Sequence, residues 1–115
     1  MISGLTEAQV QNQIIAYLNV RGILHWRQNT GSFKVDERYI RAGKKGISDI
    51  IGCLPDGRFF AVEVKRGTGG RLSQDQKEFI ENVINNNGVG LVANDFEKFK
   101  KIFDEILDKI NSNEA

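Results

Sequence analysis

Two short apolar runs separated by a turn dominate the pattern of hydrophobic and polar positions along the chain. The first run covers residues 50–54, the second covers residues 59–62, and Pro55-Asp56-Gly57 lies between them. Proline presets the first corner of such a turn, and glycine takes its left-handed position. The pattern therefore predicts a β-hairpin whose three-residue loop is flanked by Leu54 and Arg58.

Counting outward from this loop places three ionisable side chains on one face of the hairpin. Asp49 falls opposite Glu63, and Lys65 projects on the same face as Glu63 because side chains alternate along a strand. A two-residue loop would shift the register by one and move Asp49 to the other face. The three-residue register is favoured because it packs Gly52 against Phe60, a small residue against a large one.

Both faces of this hairpin are apolar near the turn, so it is expected to be central and covered on both sides. Burying two carboxylates and an ammonium there is unfavourable unless they pair or hold a metal ion. One alternative is a structural ion pair between Lys65 and either Glu63 or Asp49. The other is a functional site, and these three residues alone favour neither.

Capping residues mark where three helices are expected to begin, and these are Thr6, Ser73 and Asp95. The first two helices are expected to end at Gly22 and Gly88. The apolar stripes of the second and third helices are predicted to comprise Phe79, Ile80, Val83 and Ile84, and Phe96, Phe99, Ile102, Phe103, Ile106 and Ile110.

The remaining apolar segments predict further strands. Residues 23–28 are expected to form a strand, residues 33–42 a second strand or ribbon, and residues 89–93 a short, uninterrupted apolar strand. The resulting order predicts an α/β fold with a central mixed β-sheet flanked by helices and a right-handed strand–helix–strand crossover. The length of the chain indicates one domain, residues 1–115.

Composition excludes several classes of protein. Hydrophobic residues make up 40% and charged residues 27% of the chain, which is typical of a soluble globular protein. No stretch approaches the ~18 apolar residues of a membrane span, and no signal peptide is recognised. The single cysteine, Cys53, permits no disulfide within the chain. We therefore expect a protein of the reducing cytoplasm.

Charge is distributed unevenly along the chain. Residues 21–71 hold 11 Lys or Arg against 5 Asp or Glu, whereas residues 72–115 hold 5 against 9. A basic middle indicates a face that meets a polyanion, although a solvated surface is the alternative explanation.

Several single residues have two interpretations. Glu7 and Gln11 extend the inner stripe of the first helix, where polar groups are either caps or site residues. Gln76 is in the position of a capping-box glutamine. Trp26 is interpreted as core or edge packing in preference to a base-stacking platform. The only histidine, His25, has no partner at zinc-ligand spacing.

An ordered set of motifs carries a family resemblance. Gly46-Ile-Ser-Asp49, thirteen intervening residues and Glu63-Val-Lys65 resemble the PD-(D/E)XK nuclease signature, with Ser48 where many members have proline. The flanking segments resemble the VRR-NUC (virus-type replication-repair nuclease) family, so that the likeness covers roughly residues 5–93. These segments are Leu5-Thr-Glu-Ala-Gln-Val-Gln11, Arg27-Gln-Asn-Thr-Gly31, Lys65-Arg-Gly67 and Leu72-Ser-Gln-Asp-Gln76.

The resemblance implies a restriction-endonuclease-like core of α-β-β-β-α-β order plus a C-terminal helix, and a metal-dependent DNA endonuclease. Asp49, Glu63 and the Val64 carbonyl would bind Mg²⁺ or Mn²⁺. Lys65 would orient or deprotonate the attacking water and stabilise the transition state. Gln76 would position the water or the phosphate.

The resemblance also implies that one of Glu7 and Gln11 serves the metal site, with the choice left open. The expected partners are branched DNA, such as four-way junctions or flaps, and a second copy of the chain in a homodimer, with no organic cofactor and no membrane. The host compartment would be the cytoplasm of a bacterial or phage-infected cell. A non-catalytic nucleic-acid-binding module is the alternative. The candidates for DNA contact are Lys34, Arg38, Arg41, Lys44, Lys45, Arg66 and Arg71.

Overall fold

The computed structural model describes residues 5–28, 32–35, 38–41, 44–66 and 71–113. The helices within these residues are α1 (Glu7–Val20), α2 (Gln74–Asn85) and α3 (Phe96–Ser112). The strands are β1 (Leu24–Arg27), β2 (Ser32–Val35), β3 (Arg38–Arg41), β4 (Ile50–Cys53), β5 (Phe59–Val64) and β6 (Val89–Ala93). The elements follow the predicted order, and the predicted ribbon is the pair β2 and β3.

The central sheet has four strands in the order β1-β4-β5-β6. Strands β1, β4 and β5 pair antiparallel, whereas β5 and β6 pair parallel and are connected through α2. This arrangement is the mixed sheet that was predicted, and β4 and β5 occupy its centre. Strands β2 and β3 form a separate two-stranded antiparallel sheet. The chain therefore inserts this ribbon between two neighbouring strands of the central sheet, β1 and β4.

The hairpin of β4 and β5 has the predicted register, with Ile50 opposite Val62 and Gly52 opposite Phe60. The Leu54 amide donates a hydrogen bond of 2.8 Å to the Arg58 carbonyl across the turn. Gly57 has φ 95, a left-handed conformation that a glycine adopts without a steric penalty. The turn chemistry therefore sets which face each strand residue occupies.

Apolar clusters cover both faces of the hairpin, as predicted. Even-numbered hairpin residues pack against α1 and α3, where the cluster includes Ile50, Phe60, Val62, Val64, Leu18 and Phe103. Odd-numbered residues pack against α2, where the cluster comprises Ile51, Ala61, Phe79, Ile80 and Val83. Full burial of one such large side chain stabilises the fold by about 1.5–3 kcal/mol.

The capping predictions for the helix starts are confirmed. Thr6 and Ser73 each form a capping box with the glutamine three residues later, and Asp95 accepts a hydrogen bond from the Lys98 amide. Gly22 ends α1 with φ 68. At the end of α2 it is instead Asn87 that takes the left-handed conformation, with φ 67.

The predicted apolar stripes were wrong at two positions. Ile84 is 52% exposed and Ile102 is 46% exposed, while Leu107 is buried in α3 instead. Both isoleucines lie beside the edge strand β6: Ile84 packs over Gly90, and Ile102 lines a hollow with Val92. Because the sheet ends at β6, one side of each isoleucine remains in solvent. Among the described helices, none combines the length and the apolar character that crossing a membrane requires.

Candidate active site

The candidate site lies on the α2 face of the sheet, at the ends of β4 and β5 that are farthest from the turn. The hairpin register continues from Ile50 and Val62 to place Asp49 opposite Glu63. Gln76, from the first turn of α2, donates a hydrogen bond of 3.0 Å to Glu63 Oε2, and Lys65 Nζ lies 3.6 Å from the same oxygen. One face of the sheet therefore gathers the two acids and the amine, as predicted.

Asp49 is held from both sides. Its Oδ2 accepts a hydrogen bond of 2.7 Å from the Val64 amide on β5. Its backbone carbonyl accepts one of 2.8 Å from the Gln28 amide at the end of β1. These contacts fix the position of Asp49 before any ligand binds. Only one of its two carboxylate oxygens, Oδ2, takes part in them.

Glu63 is a buried carboxyl group, with only 2% of the residue exposed. Burial, followed by the neighbouring charge of Asp49, raises its pKa from 4.5 to about 8, while Lys65 acts in the opposite direction. Glu63 Oε1 is buried and has no hydrogen-bond partner among the described residues. A buried polar atom without a partner is unfavourable, so this oxygen is suited to receive a cation or a metal-bound water.

The ion pair between Lys65 and Glu63 exists, but it does not account for the whole arrangement. One ammonium faces two carboxylates, so one negative charge stays uncompensated when both acids are ionised. A divalent cation supplies the missing positive charge and prefers oxygen ligands. In the parts of the chain that the structure describes, no third His, Cys, Asp or Glu side chain joins Asp49 and Glu63. Mg²⁺ is commonly bound through one or two carboxylates and retains several waters. The residues present fit such an ion.

Gln76 caps its own helix, as its sequence position suggested, and also contacts Glu63. Its Oε1 accepts a hydrogen bond of 2.8 Å from the Ser73 amide, which completes the capping box of α2. Its Nε2 donates to Glu63, so the same side chain caps the helix and fixes the acid. The start of α2 and the orientation of Glu63 are therefore coupled through one amide group.

The loop that precedes Asp49 is pressed against the first turn of α2. Gly46 has φ 77, and a β-carbon added there would lie 2.3 Å from the Asp75 carbonyl oxygen. Lys45 Nζ lies 3.2 Å from Asp75 Oδ2. Ile47 packs against the apolar cluster beneath α2. This close approach positions Asp49 relative to Gln76, and the sequence reasoning had not identified Asp75 as a partner.

The remaining candidates are placed less directly. Glu7 is exposed and Gln11 is half-buried on α1, which packs on the sheet face opposite to the Glu63 side chain. Within the described residues, neither is hydrogen-bonded to an acid or to the lysine of the site, and the choice between them stays a prediction. The Val64 carbonyl as a metal ligand is likewise a prediction.

The candidate DNA contacts divide into two groups. Lys44, Lys45, Arg66 and Arg71 are exposed, and Lys45 pairs with Asp75 as described. Lys34, Arg38 and Arg41 belong to β2 and β3, for which the structure describes the backbone, and their side chains lie outside the described part. The backbone of the ribbon is described. The chain leaves the central sheet after Gln28, forms the ribbon of β2 and β3, and returns to the central sheet before Asp49. The ribbon therefore departs from the sheet at the site.

Comparisons with known proteins find a matching domain family and a similar fold. A family model described as VRR-NUC domain matches residues 5–94. A solved structure titled "VRR_NUC domain" is similar over 87% of this chain and 97% of that chain, with a TM-score of 0.62 and 20% sequence identity. At this identity, the likeness shows a shared fold. The comparison with curated protein sequences gives no match.

Proposed function

The chain belongs to the VRR-NUC domain family, a family of nucleases, and we propose that it is a metal-dependent DNA endonuclease. The observation that carries the proposal is the buried Glu63 carboxyl group, which lies beside Asp49 and has one oxygen without a hydrogen-bond partner in the part of the chain that the structure describes. A purely structural carboxyl group would be expected to have both oxygens hydrogen-bonded or exposed to water.

Asp49 and Glu63 would hold Mg²⁺ or Mn²⁺, with the Val64 carbonyl as a third ligand. The bound ion would lower the pKa of a coordinated water and neutralise charge on the scissile phosphate. In each acid, one carboxylate oxygen is already hydrogen-bonded within the protein. Asp49 Oδ2 is engaged by the Val64 amide and Glu63 Oε2 by Gln76, so Asp49 Oδ1 and Glu63 Oε1 are the oxygens left for the ion.

The position of Lys65 supports a role for its amine on the attacking water. Its ammonium lies 3.6 Å from Glu63 Oε2, on the face where the phosphate would be bound. As an ammonium, Lys65 would orient a water and stabilise the additional negative charge of the transition state, whereas only its neutral amine form would take a proton from that water. Gln76 would hold Glu63 in place while the charge on the phosphate changes, and would position the water or the phosphate.

The substrate is proposed to be branched DNA, such as a flap or a four-way junction, bound by a homodimer whose two sites cut paired strands. Exposed Lys44, Arg66 and Arg71 provide positive charge for contacts with the DNA backbone, which orient a nucleic acid without reading its sequence. Residues 1–115 would act as one nuclease domain in the cytoplasm of a bacterial or phage-infected cell.

The test is a cleavage panel in Mg²⁺ or Mn²⁺ over duplex, single-stranded, flap and four-way-junction DNA. We compare the wild type with Asp49→Asn and Lys65→Met, because asparagine keeps an acceptor for the Val64 amide. Both variants are expected to stay folded, to retain most DNA binding and to lose cleavage. Lys101→Met, a change at an exposed lysine of α3, serves as the matched control and is expected to cleave normally.

Two results would overturn the proposal. Cleavage at the wild-type rate by either site variant, or by the wild type in excess chelator, would exclude this mechanism. DNA binding by the wild type with no cleavage of any substrate, together with no carboxylate-dependent Mn²⁺ binding in calorimetry, would identify a nucleic-acid-binding module without catalytic activity.

A further inference from the structure

We propose that Trp26 stacks on a nucleobase beside the scissile phosphate that is unpaired or lies at a branch point, so that the enzyme cleaves such DNA in preference to continuous duplex. This inference rests on the proposed nuclease function and deepens it, because it distinguishes flaps and single strands from fully paired duplex. The carrying observation is the position of the indole on the same sheet face as Asp49 and Glu63.

The sheet register places Trp26 on that face. Trp26 lies opposite Ile51 on β4, and Ile51 lies opposite Ala61 on β5, so the three side chains share the α2 side of the sheet. Two residues further along β1, Gln28 pairs with Asp49. At about 3.4 Å per residue along a strand and about 5 Å between strands, the α-carbons of Trp26 and Asp49 are about 8 Å apart. That distance corresponds to about two stacked nucleotides of one strand, at ~3.4 Å each.

The indole is available to a ligand but is also held in place. Trp26 is 47% exposed because β1 is an edge strand, and α2 packs mainly over β5 and β6. Its Nε1 donates a hydrogen bond of 3.1 Å to Gln28 Oε1, which draws the ring toward the end of the strand that adjoins Asp49. The only polar atom of the side chain is thereby satisfied within the protein. What remains exposed is aromatic surface, which binds by stacking and tolerates any base.

Three features favour a nucleobase over a protein partner as the occupant. The indole adjoins the acids of the proposed nuclease site, where a DNA strand must pass if its phosphate is to be cleaved. Cationic groups accompany the acids, with Lys65 inside the site and Arg66 exposed as the next residue of the chain. A base paired within a duplex has its faces covered by its neighbours, so an indole stacks only on a base that is unpaired or at an end.

The chain contains one tryptophan, so intrinsic fluorescence reports on this side chain alone. We titrate the wild type in chelator, which prevents cleavage, with a single-stranded oligonucleotide, with the same strand in a blunt duplex, and with inorganic polyphosphate. Quenching is expected with the single strand and is expected to be much weaker with the blunt duplex or polyphosphate. Equal quenching by polyphosphate would show that charge near the site, and not stacking, changes the fluorescence, and would overturn the proposal.

Cleavage kinetics provide a second readout. Trp26→Leu keeps an apolar side chain without an aromatic face, and it is expected to raise KM for a flap substrate about 10- to 100-fold with a smaller effect on kcat. Trp26→Phe is expected to restore most of the loss, because phenylalanine retains a face for stacking. Phe59→Leu is the matched control, since Phe59 is a 40% exposed aromatic residue on the same sheet face but next to the turn, at the other end of β5.

A nucleotide that lacks its base can be used to locate the stacking contact of Trp26 along the DNA strand. Moving one abasic nucleotide through the three positions on each side of the scissile phosphate is expected to weaken wild-type cleavage at one or two positions. The same scan is expected to have little effect on Trp26→Leu, because the stacking contact is already absent. Equal sensitivity of the wild type and Trp26→Leu to every abasic position would contradict the stacking contact.

Failure of this inference is distinguishable from failure of the proposed function. If the wild type cleaves no DNA in Mg²⁺ or Mn²⁺, the proposed function fails. If the wild type cleaves and Trp26→Leu retains its KM, the inference alone fails. A change of association state in light scattering for Trp26→Leu, with unchanged KM, would instead assign Trp26 to an interface between two copies of the chain. Circular dichroism checks that each variant is folded, and Trp26→Phe keeps the test valid if Trp26→Leu is not.

Discussion

The buried Glu63 carboxyl group leads to a prediction about stability that does not depend on cleavage. In the folded, metal-free protein its pKa is about 8, whereas the ordinary value is 4.5, because burial and the charge of Asp49 both disfavour ionisation. Between these two pH values the unfolded chain releases this proton and the folded chain keeps it. The wild-type free energy of unfolding therefore falls as pH rises from about 4.5 to about 8 on account of this group.

The change Glu63→Gln removes that dependence, because an amide resembles the protonated acid and cannot ionise. At 1.36 kcal/mol per pKa unit, the raised pKa corresponds to a loss of stability on the order of 4 kcal/mol at pH 8 and above. The variant is therefore expected to match the wild type near pH 4.5 and to be more stable than the metal-free wild type at pH 8.5. It is also expected to be inactive, since in the proposed mechanism the carboxylate would hold the metal ion.

The assay is urea unfolding in chelator at pH 5 and pH 8.5, with Glu81→Gln, an exposed glutamate on α2, as the matched control. Mn²⁺ at pH 8.5 should raise the melting temperature of the wild type and leave Glu63→Gln unchanged. If the stability difference between Glu63→Gln and the wild type is the same at both pH values, the reasoning about burial is refuted. An equal Mn²⁺ response in both proteins would refute the role of Glu63 as a ligand.

Two further predictions concern residues outside the acid pair. Gly46→Ala is expected to lower the free energy of unfolding by about 3 kcal/mol and to reduce cleavage, because the new β-carbon would collide with the Asp75 carbonyl. The matched control is Gly57→Ala, where φ is 95 and the added β-carbon meets open space. It is expected to lower the free energy of unfolding by only about 1 kcal/mol and to cleave normally. Equal costs would show that the collision is relieved without strain. Tyr17→Phe removes the hydroxyl that donates to Asp104 between α1 and α3, so it is expected to cost about 1 kcal/mol, to lower the melting temperature by about 3–5 °C and to leave cleavage unchanged. A loss of cleavage in Tyr17→Phe at full stability would contradict this assignment.

Local chemistry made the hairpin and the helix starts predictable from the sequence. The turn at Pro55-Asp56-Gly57 sets the register, and the register alone places Asp49 opposite Glu63. The capping boxes are equally local, because Ser73 and Gln76 satisfy backbone groups within one turn of the helix. Such features need no knowledge of the tertiary fold.

Features that depend on distant parts of the chain were not predictable in this way. The contact between Gly46 and Asp75 joins two segments whose meeting no periodicity indicates. The exposure of Trp26 follows from the position of β1 at the edge of the sheet, which is a property of strand order. The raised pKa of Glu63 likewise depends on its burial and on the charge of Asp49, both of which follow from the tertiary fold.

The capping box of α2 shows how the site constrains a residue that helix formation alone would leave free. Glutamate and glutamine are interchangeable as the third residue after a serine cap, since either supplies an acceptor oxygen for the cap amide. At position 76 they are not equivalent, because the side chain must also offer an N–H to the acid below it. A glutamate would leave the helix intact but would bring a third negative charge against the pair and strengthen its hold on protons. Gln76 thus serves helix formation through its oxygen and the proposed metal site through its nitrogen, so that the two demands do not compete for one atom.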